Sequence, residues 1–361
     1  MTGTEPEVLV ETKGRLGHLI LNRPKAINAL TLTMVDAMTA ALDTWAADDS
    51  IETIAISGAG ERGLCAGGDI RTLYDATTTG DFDHAETFWR REYALDALIA
   101  DYPKPCVAIM DGLVMGGGVG VSAHASHRVV TERTKVGMPE VTIGYTPDVG
   151  TSIILSRSPG ELGTYAALTG IPLNAADAIA VGLADTYVPH DRLDDLLRRL
   201  ADEPAATATA ALADGSLPAS ALDRDSIARC FAHDDVGSIL ADLERADEQA
   251  TLEALSRAAP FSLVVTLRAL RTARSFESVE KALEQDLTLS LALIRRPDFR
   301  EGVRAAVVDK DRNPRWQPDT LAAVDPAAVD AVFHRASDRK PVLNRKPALN
   351  RKPVSNRRDV R

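Results

Sequence analysis

The sequence has few cysteines, no long apolar run and no net positive charge outside its last residues. Its three cysteines, Cys65, Cys106 and Cys230, lie far apart and show no metal-ligand spacing. Disulfides are therefore not expected, and the reducing cytoplasm is the simplest setting. No apolar run approaches the ~20 residues of a membrane span, and the acidic N-terminal segment lacks the basic-then-apolar pattern of a signal peptide. These absences predict a cytoplasmic protein without a membrane span.

Positive charge is concentrated at the C-terminus. The net charge is -11 over 361 residues, but residues 335–361 hold ten Lys/Arg against two Asp/Glu, which leaves -19 for the rest of the chain. Three hexamers of the form RKPxxN fill residues 339–356, and such a Pro-containing basic repeat cannot build a core. We expect a disordered tail there. The acidic remainder argues against nucleic-acid binding.

Strand and helix patterns alternate through the first 200 residues, which predicts an α/β core over residues 1–200. An early hairpin is expected around Lys13, and a helix capped by Asn28 or Thr31 should follow it. Residues 201–225 are Ala-rich and are read as a connector with at most one weak helix. Residues 226–334 are predicted to be mainly helical, with a break at Pro260.

A glycine-rich loop follows the strand predicted to end near Ser57. Gly58, Gly60 and Gly63 match the G-x-G-x-x-G spacing of dinucleotide-binding proteins, but that motif needs a helix to open at its third glycine. Here LCAGGD follows, and adjacent glycines oppose a helix. We therefore predict two bends with free backbone N–H groups, and a helix that begins only near Asp69.

A second glycine run, residues 116–118, lies between a strand-like run and a helix-compatible run. Glycines before a helix place bare N–H groups at the positive end of its dipole. Two carboxylates follow, each directly after a proline and among apolar neighbours: Glu140 and Asp148. Backbone donors beside acids in an apolar setting suggest acyl chemistry through a charged oxygen intermediate.

Five motifs in order resemble the crotonase (enoyl-CoA hydratase/isomerase) superfamily, and within it the 3-hydroxyisobutyryl-CoA hydrolases. The five motifs are LNRPKAINAL, REYAL, DGLVMGGGVG, MPEVTIGYTPDVG and FREGVRAAVVDKDRNPRWQP. The first glycine loop, GLCAGGDI at residues 63–70, also resembles this superfamily. The resemblance covers residues 8 to about 333. It implies a crotonase-like ββα spiral core with a helical C-terminal region, an acyl-CoA substrate, a homo-oligomer and no separate cofactor, since CoA is part of the substrate.

The resemblance also implies roles for individual residues. The backbone amides of Gly68 and Gly117 would form an oxyanion hole for the thioester oxygen, each donor contributing roughly 3 kcal/mol at the transition state. Hydratases of the superfamily carry a glutamate where this sequence has Gly120. Glu140 and Asp148 instead fit the hydrolase pattern, with both acids catalytic and in contact with the substrate.

Three further implications concern binding. Glu92 is placed in the substrate pocket together with Gly117. CoA is expected to contact two backbone segments, made of Lys25, Ala26 and Ile27 and of Ala66, Gly67, Asp69 and Ile70. Neither a nicotinamide nor a metal is implied, and His124 and His127 look like ordinary structural residues.

The sequence thus predicts an acyl-CoA thioester hydrolase, with 3-hydroxyisobutyryl-CoA of valine breakdown as the expected substrate. Glu140 would either attack the thioester carbon or activate a water as general base. Two alternatives remain open at this level. One is an enoyl-CoA hydratase or isomerase on the same fold, and the other is a non-catalytic CoA-binding or scaffold protein.

Overall fold

The strands form two sheets in the computed structural model, which describes residues 5–334. The predicted basic tail, residues 335–361, lies outside the described residues. The strands of the described chain are β1 Val8–Lys13, β2 Leu16–Leu21, β3 Thr53–Gly58, β4 Cys106–Met110, β5 Leu113–Met115, β6 His127–Val130, β7 Lys135–Gly137 and β8 Thr186–Tyr187.

The larger sheet has the strand order β1-β2-β3-β4-β6-β8. Only the β1–β2 pair is antiparallel, as expected for a hairpin, and the other pairs are parallel. The short strands β5 and β7 form a separate parallel pair. Parallel neighbours need crossover connections, which here carry the glycine loops.

Helices of the N-terminal half cover the sheet and frame the glycine loops. They are α1 Leu32–Ala46, α2 Ile70–Thr79, α3 Phe82–Ala100, α4 Gly117–Ala123, α5 Thr151–Leu155, α6 Leu162–Thr169, α7 Ala175–Val181 and α8 Leu193–Leu200. Thr31 caps α1 by accepting from Met34 N at 3.1 Å, which confirms one of the two predicted caps. Asn28, the other candidate, instead donates to the carbonyls of Ala59 and Gly63.

The second half of the described chain is helical, with Pro260 opening a helix where a break was predicted. Its helices are α9 Ala205–Leu212, α10 Arg224–Cys230, α11 Val236–Arg245, α12 Gln249–Arg257, α13 Pro260–Ala273, α14 Val279–Leu293, α15 Pro297–Val303 and α16 Pro326–Phe333. From this region, α14 packs against α3 and α5 of the N-terminal half, and α15 packs against the 3₁₀ turn Glu140–Ile143. The C-terminal helices therefore contact the segments that carry the predicted acids.

The central sheet is buried on both faces, because strand side chains alternate between them. Val107 and Ile109 of β4 pack in a small core with Leu196 of α8. Ala108 and Met110 belong to the large core on the opposite face, which includes buried residues of α1, α3 and the C-terminal helices. Within residues 5–334 no helix is both long and apolar enough to cross a membrane.

The G-x-G-x-x-G spacing serves backbone packing in this fold. Gly63 adopts φ +150°, and a Cβ there would collide with the backbone of Leu113. No helix opens at Gly63, and α2 begins at Ile70, as the sequence predicted. The third glycine is therefore required by its close approach to β5.

Candidate active site

The two glycine loops contact each other directly. Cys65 forms a parallel bridge with Val114, and Met115 N donates to Cys65 O at 2.9 Å. A Cβ built on Gly117 would lie 3.2 Å from Gly68 N, so the two predicted oxyanion donors are adjacent. Neither amide donates a hydrogen bond to any residue in the range 5–334. Two free backbone donors therefore lie side by side.

The loops can approach so closely because their backbones use conformations that favour glycine. Gly67 has φ +107° and Gly116 has φ +49°, both outside the range of ordinary L residues. A Cβ on Gly67 would lie 3.2 Å from Met115 O, at the contact between the loops. The sequence pattern of glycines thus follows from the geometry of the junction.

Two of the predicted acids flank the second glycine loop. Glu140 opens the 3₁₀ turn Glu140–Ile143, and its Oε1 is 3.0 Å from the Cβ position of Gly116. Glu92 projects from α3, and its Oε1 occupies the space that a Cβ on Gly117 would need. Both residues are buried, with 6% of the reference surface of Glu140 and 2% of that of Glu92 exposed. Acids from two distant segments therefore meet at the free amides.

Asp148, the third predicted acid, lies in the loop before α5 and is held by two tyrosines. Tyr93 OH donates to Asp148 Oδ2 at 2.7 Å, and Tyr145 OH donates to the same oxygen at 3.2 Å. Both tyrosine hydroxyls also contact Ser290 Oγ of α14. Neither tyrosine was predicted to contact Asp148, although both lie within motifs that carry the family resemblance, REYAL and MPEVTIGYTPDVG.

Burial controls the charge of these acids. It raises the pKa of Glu92 well above its ordinary value, and the carboxylates of Asp148 and Glu140 raise it further. Burial and Asp148 likewise raise the pKa of Glu140. The pKa of Asp148 rises only to about 6, because the hydrogen bonds from Tyr93 and Tyr145 oppose the effect of burial. The cluster therefore holds protons at neutral pH, and Asp148 is its most readily ionised member.

The position that lacks a glutamate, Gly120, is closely surrounded. A Cβ there would lie 2.7 Å from Val149 Cβ and 2.9 and 3.0 Å from the two carboxyl oxygens of Asp96. Asp96 is fully buried, and neither of its oxygens finds a hydrogen-bond partner within the described chain. Burial raises its pKa well above the ordinary value, with Glu92 and Asp148 adding to the effect. A longer side chain at residue 120 would therefore displace a buried acid that the sequence analysis did not single out.

The two segments expected to bind CoA are hydrogen-bonded to each other. Ala66 N donates to Ile27 O at 2.8 Å, and Asp69 N donates to Leu30 O at 2.8 Å. The predicted backbone contacts to CoA therefore cannot use these two amides, whose protons are already engaged. The Lys25 side chain next to them is exposed. In the same two segments, Ala26 closes a 3₁₀ turn and Ile70 opens α2.

Three other polar residues, His124, His127 and Cys65, make contacts of the kind expected of structural residues. His124 contacts Val149 O through Nε2 at 2.7 Å, and burial lowers its pKa to about 4. His127 opens β6 and contacts Ser126 at 3.0 Å. Burial raises the pKa of the Cys65 thiol to about 12, so the thiolate needed of a reactive cysteine does not form near neutral pH.

The fold and the paired glycine loops define a protein of the crotonase class, which confirms the predicted fold class. A family profile described as enoyl-CoA hydratase/isomerase matches residues 16–333. The chain belongs to this family.

Individual relatives carry two kinds of name. The mitochondrial 3-hydroxyisobutyryl-CoA hydrolase of Danio rerio is 38% identical, over 92% of this chain and 91% of its own. The human mitochondrial enzyme of the same name is 38% identical over 90% and 87%. Among solved structures, a carnitinyl-CoA dehydratase from Mycobacterium thermoresistibile is 47% identical with a TM-score of 0.88, covering 93% of this chain and 98% of that one.

Proposed function

We propose that the protein hydrolyses the thioester bond of 3-hydroxyisobutyryl-CoA, giving 3-hydroxyisobutyrate and CoA in valine breakdown. The observation that carries the proposal is the set of acids at the glycine junction. Glu140 and Asp148 are both buried there, whereas Gly120 offers no carboxylate at the position that hydratases use. Relatives named 3-hydroxyisobutyryl-CoA hydrolase, alike over most of the chain, support the same substrate.

The two free amides polarise the thioester. In this proposal the substrate carbonyl oxygen lies between Gly68 N and Gly117 N, where it accepts a hydrogen bond from each. The oxygen gains negative charge as the carbonyl carbon is attacked, and each preorganised donor stabilises that charge by roughly 3 kcal/mol. Because the donors are backbone groups of fixed loops, they do not need to reorganise during the reaction.

Glu140 acts on the carbonyl carbon in one of two ways, and each begins when its carboxyl gives up to Asp148 the proton that its raised pKa retains in the free protein. In the first, its carboxylate attacks, the C–S bond breaks, and water hydrolyses the resulting mixed anhydride. In the second, it takes a proton from a water that attacks directly, and the C–S bond then breaks. In both, the departing thiolate receives a proton and the acid product leaves as a carboxylate. Label from H₂¹⁸O in the peptide that carries Glu140 after a single turnover is expected only of the first route.

The other two acids hold the polar end of the substrate. Asp148 accepts a hydrogen bond from the 3-hydroxyl group as a carboxylate, and it passes the proton that it takes from Glu140 on to the leaving thiolate. Its pKa of about 6 suits a group that exchanges a proton near neutral pH. Glu92, whose pKa is raised by burial and by its acidic neighbours, stays protonated and donates a hydrogen bond to the same end.

Replacing Glu140 by glutamine tests the proposal, because the amide keeps the shape and loses the nucleophile or base. We expect release of free thiol from 3-hydroxyisobutyryl-CoA to fall by about 100-fold or more, with CoA binding retained. Thiol release at the wild-type rate by Glu140→Gln would refute the role given to this residue.

A second function is favoured by the names of solved relatives, a carnitinyl-CoA dehydratase and an enoyl-CoA hydratase from Rhodobacter sphaeroides 2.4.1, the latter 39% identical with a TM-score of 0.85. Crotonyl-CoA assayed beside 3-hydroxyisobutyryl-CoA separates the two functions, one read from enoyl absorbance and the other from free thiol. Binding of acyl-CoA with no turnover of either would instead indicate a CoA-binding or scaffold protein.

We also propose that the protein is a cytoplasmic homo-oligomer that binds no nucleic acid and needs no cofactor beyond its substrate. Cys65, Cys106 and Cys230 are all free thiols in the structure, which supports a reducing compartment. Two of the relatives above are named mitochondrial, so fractionation of the source cells is the deciding experiment. Light scattering tests the homo-oligomer, activity after dialysis against a chelator tests the cofactor, and a gel-shift assay tests nucleic-acid binding.

A further inference from the structure

We propose that Tyr93, Tyr145 and Ser290 are positioning residues that hold Asp148 in one orientation, so that the helical C-terminal region completes the acid site. The inference rests on the proposed function, since it assigns a task to groups around the acid that meets the substrate. It adds three residues from three separate segments, of which Ser290 lies 197 positions after Tyr93 in sequence.

Four oxygen atoms form a closed ring. Tyr93 OH is 2.7 Å from Asp148 Oδ2 and 2.8 Å from Ser290 Oγ. Tyr145 OH closes the other side, at 3.2 Å from Asp148 Oδ2 and in hydrogen-bond contact with Ser290 Oγ. Ser290 is itself fully buried. Both tyrosines therefore direct a hydroxyl at a single carboxyl oxygen, and the Oδ1 atom takes no part in the ring.

The number of available protons determines which of the four oxygens donate hydrogen bonds and which accept them. Each of the three hydroxyls has one proton, and Ser290 Oγ donates its own to the backbone carbonyl of Asp286 at 2.6 Å. Ser290 can then only accept from the tyrosines. Tyr93 gives its proton to Asp148, while Asp148 and Ser290 share that of Tyr145. Asp148 Oδ2 must be an acceptor in this arrangement, which favours the ionised carboxylate.

Neighbouring contacts keep the four oxygen atoms in this arrangement. The Tyr145 ring stacks on Trp89 at 5.9 Å with an interplanar angle of 8° and meets the edge of Phe299 at 5.6 Å. Helix α14 also holds the loop beyond Asp148, because Asp286 Oδ2 accepts from Gly150 N at 2.8 Å. Ser290 and Asp286 are one helical turn apart, so α14 contacts the Asp148 segment at two points, Tyr145 and Gly150.

The electrostatic setting makes these donors necessary. Asp148 interacts with carboxyls from each side: Glu92 and Asp96 on α3, Glu140 on its 3₁₀ turn and Asp286 on α14. All of them are buried and no cation is among them, so each disfavours charge on the others. The tyrosine hydroxyls lower the pKa of Asp148 against this background. Removing one hydroxyl should therefore raise that pKa above about 6.

The experiment compares Tyr93→Phe, Tyr145→Phe and Ser290→Ala by the pH dependence of kcat/KM for 3-hydroxyisobutyryl-CoA. Tyr93→Phe should move the acidic limb up by roughly one pH unit, and Tyr145→Phe should move it less because its bond is longer. Ser290→Ala should lower kcat by roughly tenfold with KM nearly unchanged, since the donors remain and only their orientation is lost.

Thr266→Val is the matched control. Its hydroxyl makes a buried 2.9 Å hydrogen bond to Thr146, which joins the same loop to the C-terminal helices without touching Asp148. We expect wild-type pH dependence for this variant. Thermal melts of all four variants separate changes in catalysis from loss of folding. Tyr93→Phe and Tyr145→Phe profiles that coincide with the control would overturn the inference.

A second readout does not depend on turnover. Carboxyl ¹³C NMR of the free protein, with Asp148→Asn used for assignment, follows the titration of Asp148 directly. A raised pKa in Tyr93→Phe supports the positioning role even when wild-type protein fails to hydrolyse the substrate, a result that would overturn only the proposed function. An unchanged Asp148 titration in both tyrosine variants overturns the inference even if hydrolysis is observed.

Discussion

Adding one methyl group to Gly117 should close the proposed oxyanion hole. The Gly117 backbone is not in the left-handed region, so alanine fits its conformation and the effect is steric. The new Cβ would collide with Glu92 Oε1 and would lie 3.2 Å from both Gly68 N and Leu30 Cδ1. A substrate oxygen that must come within ~3 Å of Gly68 N would then meet this methyl group.

The size of the effect follows from blocked access to one oxyanion donor, which should resemble the loss of that donor. Such a loss costs roughly 100- to 1,000-fold in kcat, or about 3–4 kcal/mol of transition-state stabilisation. We expect Gly117→Ala to show at least the lower figure in a thiol-release assay under saturating substrate. Folding should be little changed, because the far end of the flexible Glu92 side chain can move aside.

Two companion variants make the test quantitative. A Cβ on Gly68 would lie 3.3 Å from Phe88 Cε1, a tight contact that leaves the amide accessible, so Gly68→Ala should lose no more than about tenfold. Gly215 is exposed and has nothing within 4 Å of its Cβ position, and Gly215→Ala should behave as wild type. If Gly117→Ala kept kcat within about threefold of Gly215→Ala, the thioester oxygen would not bind between the Gly68 and Gly117 amides, and the proposed oxyanion hole would be refuted.

Three further outcomes are expected. The pKa of Asp148 is raised from 3.8 to about 6 by folding, so the native state binds its proton more tightly and the free energy of unfolding falls as pH rises between these values. Asp148→Asn should therefore increase the free energy of unfolding by up to about 3 kcal/mol at about pH 8 and give no gain near pH 4, as denaturant titrations at both pH values will show. Gly120→Glu should not create crotonyl-CoA hydration, because its Cβ would lie 2.7 Å from Val149 Cβ and 2.9 Å from Asp96 Oδ1, and its melting temperature should fall. Arg271→Met should lower the free energy of unfolding by about 3 kcal/mol without changing KM, because it leaves the half-buried Glu161 carboxylate with only the exposed Arg274 as its cationic partner.

The secondary structure of this chain was largely predictable because its signals are local. The Thr31 cap, the two glycine bends and the start of α2 near Asp69 each depend on neighbouring residues, and the structure has them where the sequence placed them. The helix that begins near Asp69 is short, because Gly80 takes φ +77° after Thr79 and a second helix, α3, follows it.

The surroundings of Asp148 were not predictable in the same way. Tyr93 and Tyr145 stood inside recognised motifs, but nothing in a single sequence tells whether a tyrosine hydroxyl meets solvent or a carboxylate. Ser290 lies in a region that was predicted only to be helical, and its contact depends on how α14 packs on α3. Asp96, whose carboxyl oxygens have no hydrogen-bond partner within the described residues, cannot be told from an ordinary polar helix residue by its sequence alone.

The sequence by itself determined the class of fold, the two glycine loops and the acids Glu140 and Asp148, because glycine backbones and the residues beside them are encoded locally. Only the tertiary structure decided which groups meet at the site and how they are charged. Burial of several carboxyls in one volume raises their pKa values together, and this depends on distances between segments far apart in the chain. The absence of an acid at Gly120 was legible in the sequence, but the reason that none fits, the buried Asp96 carboxyl, is a property of packing.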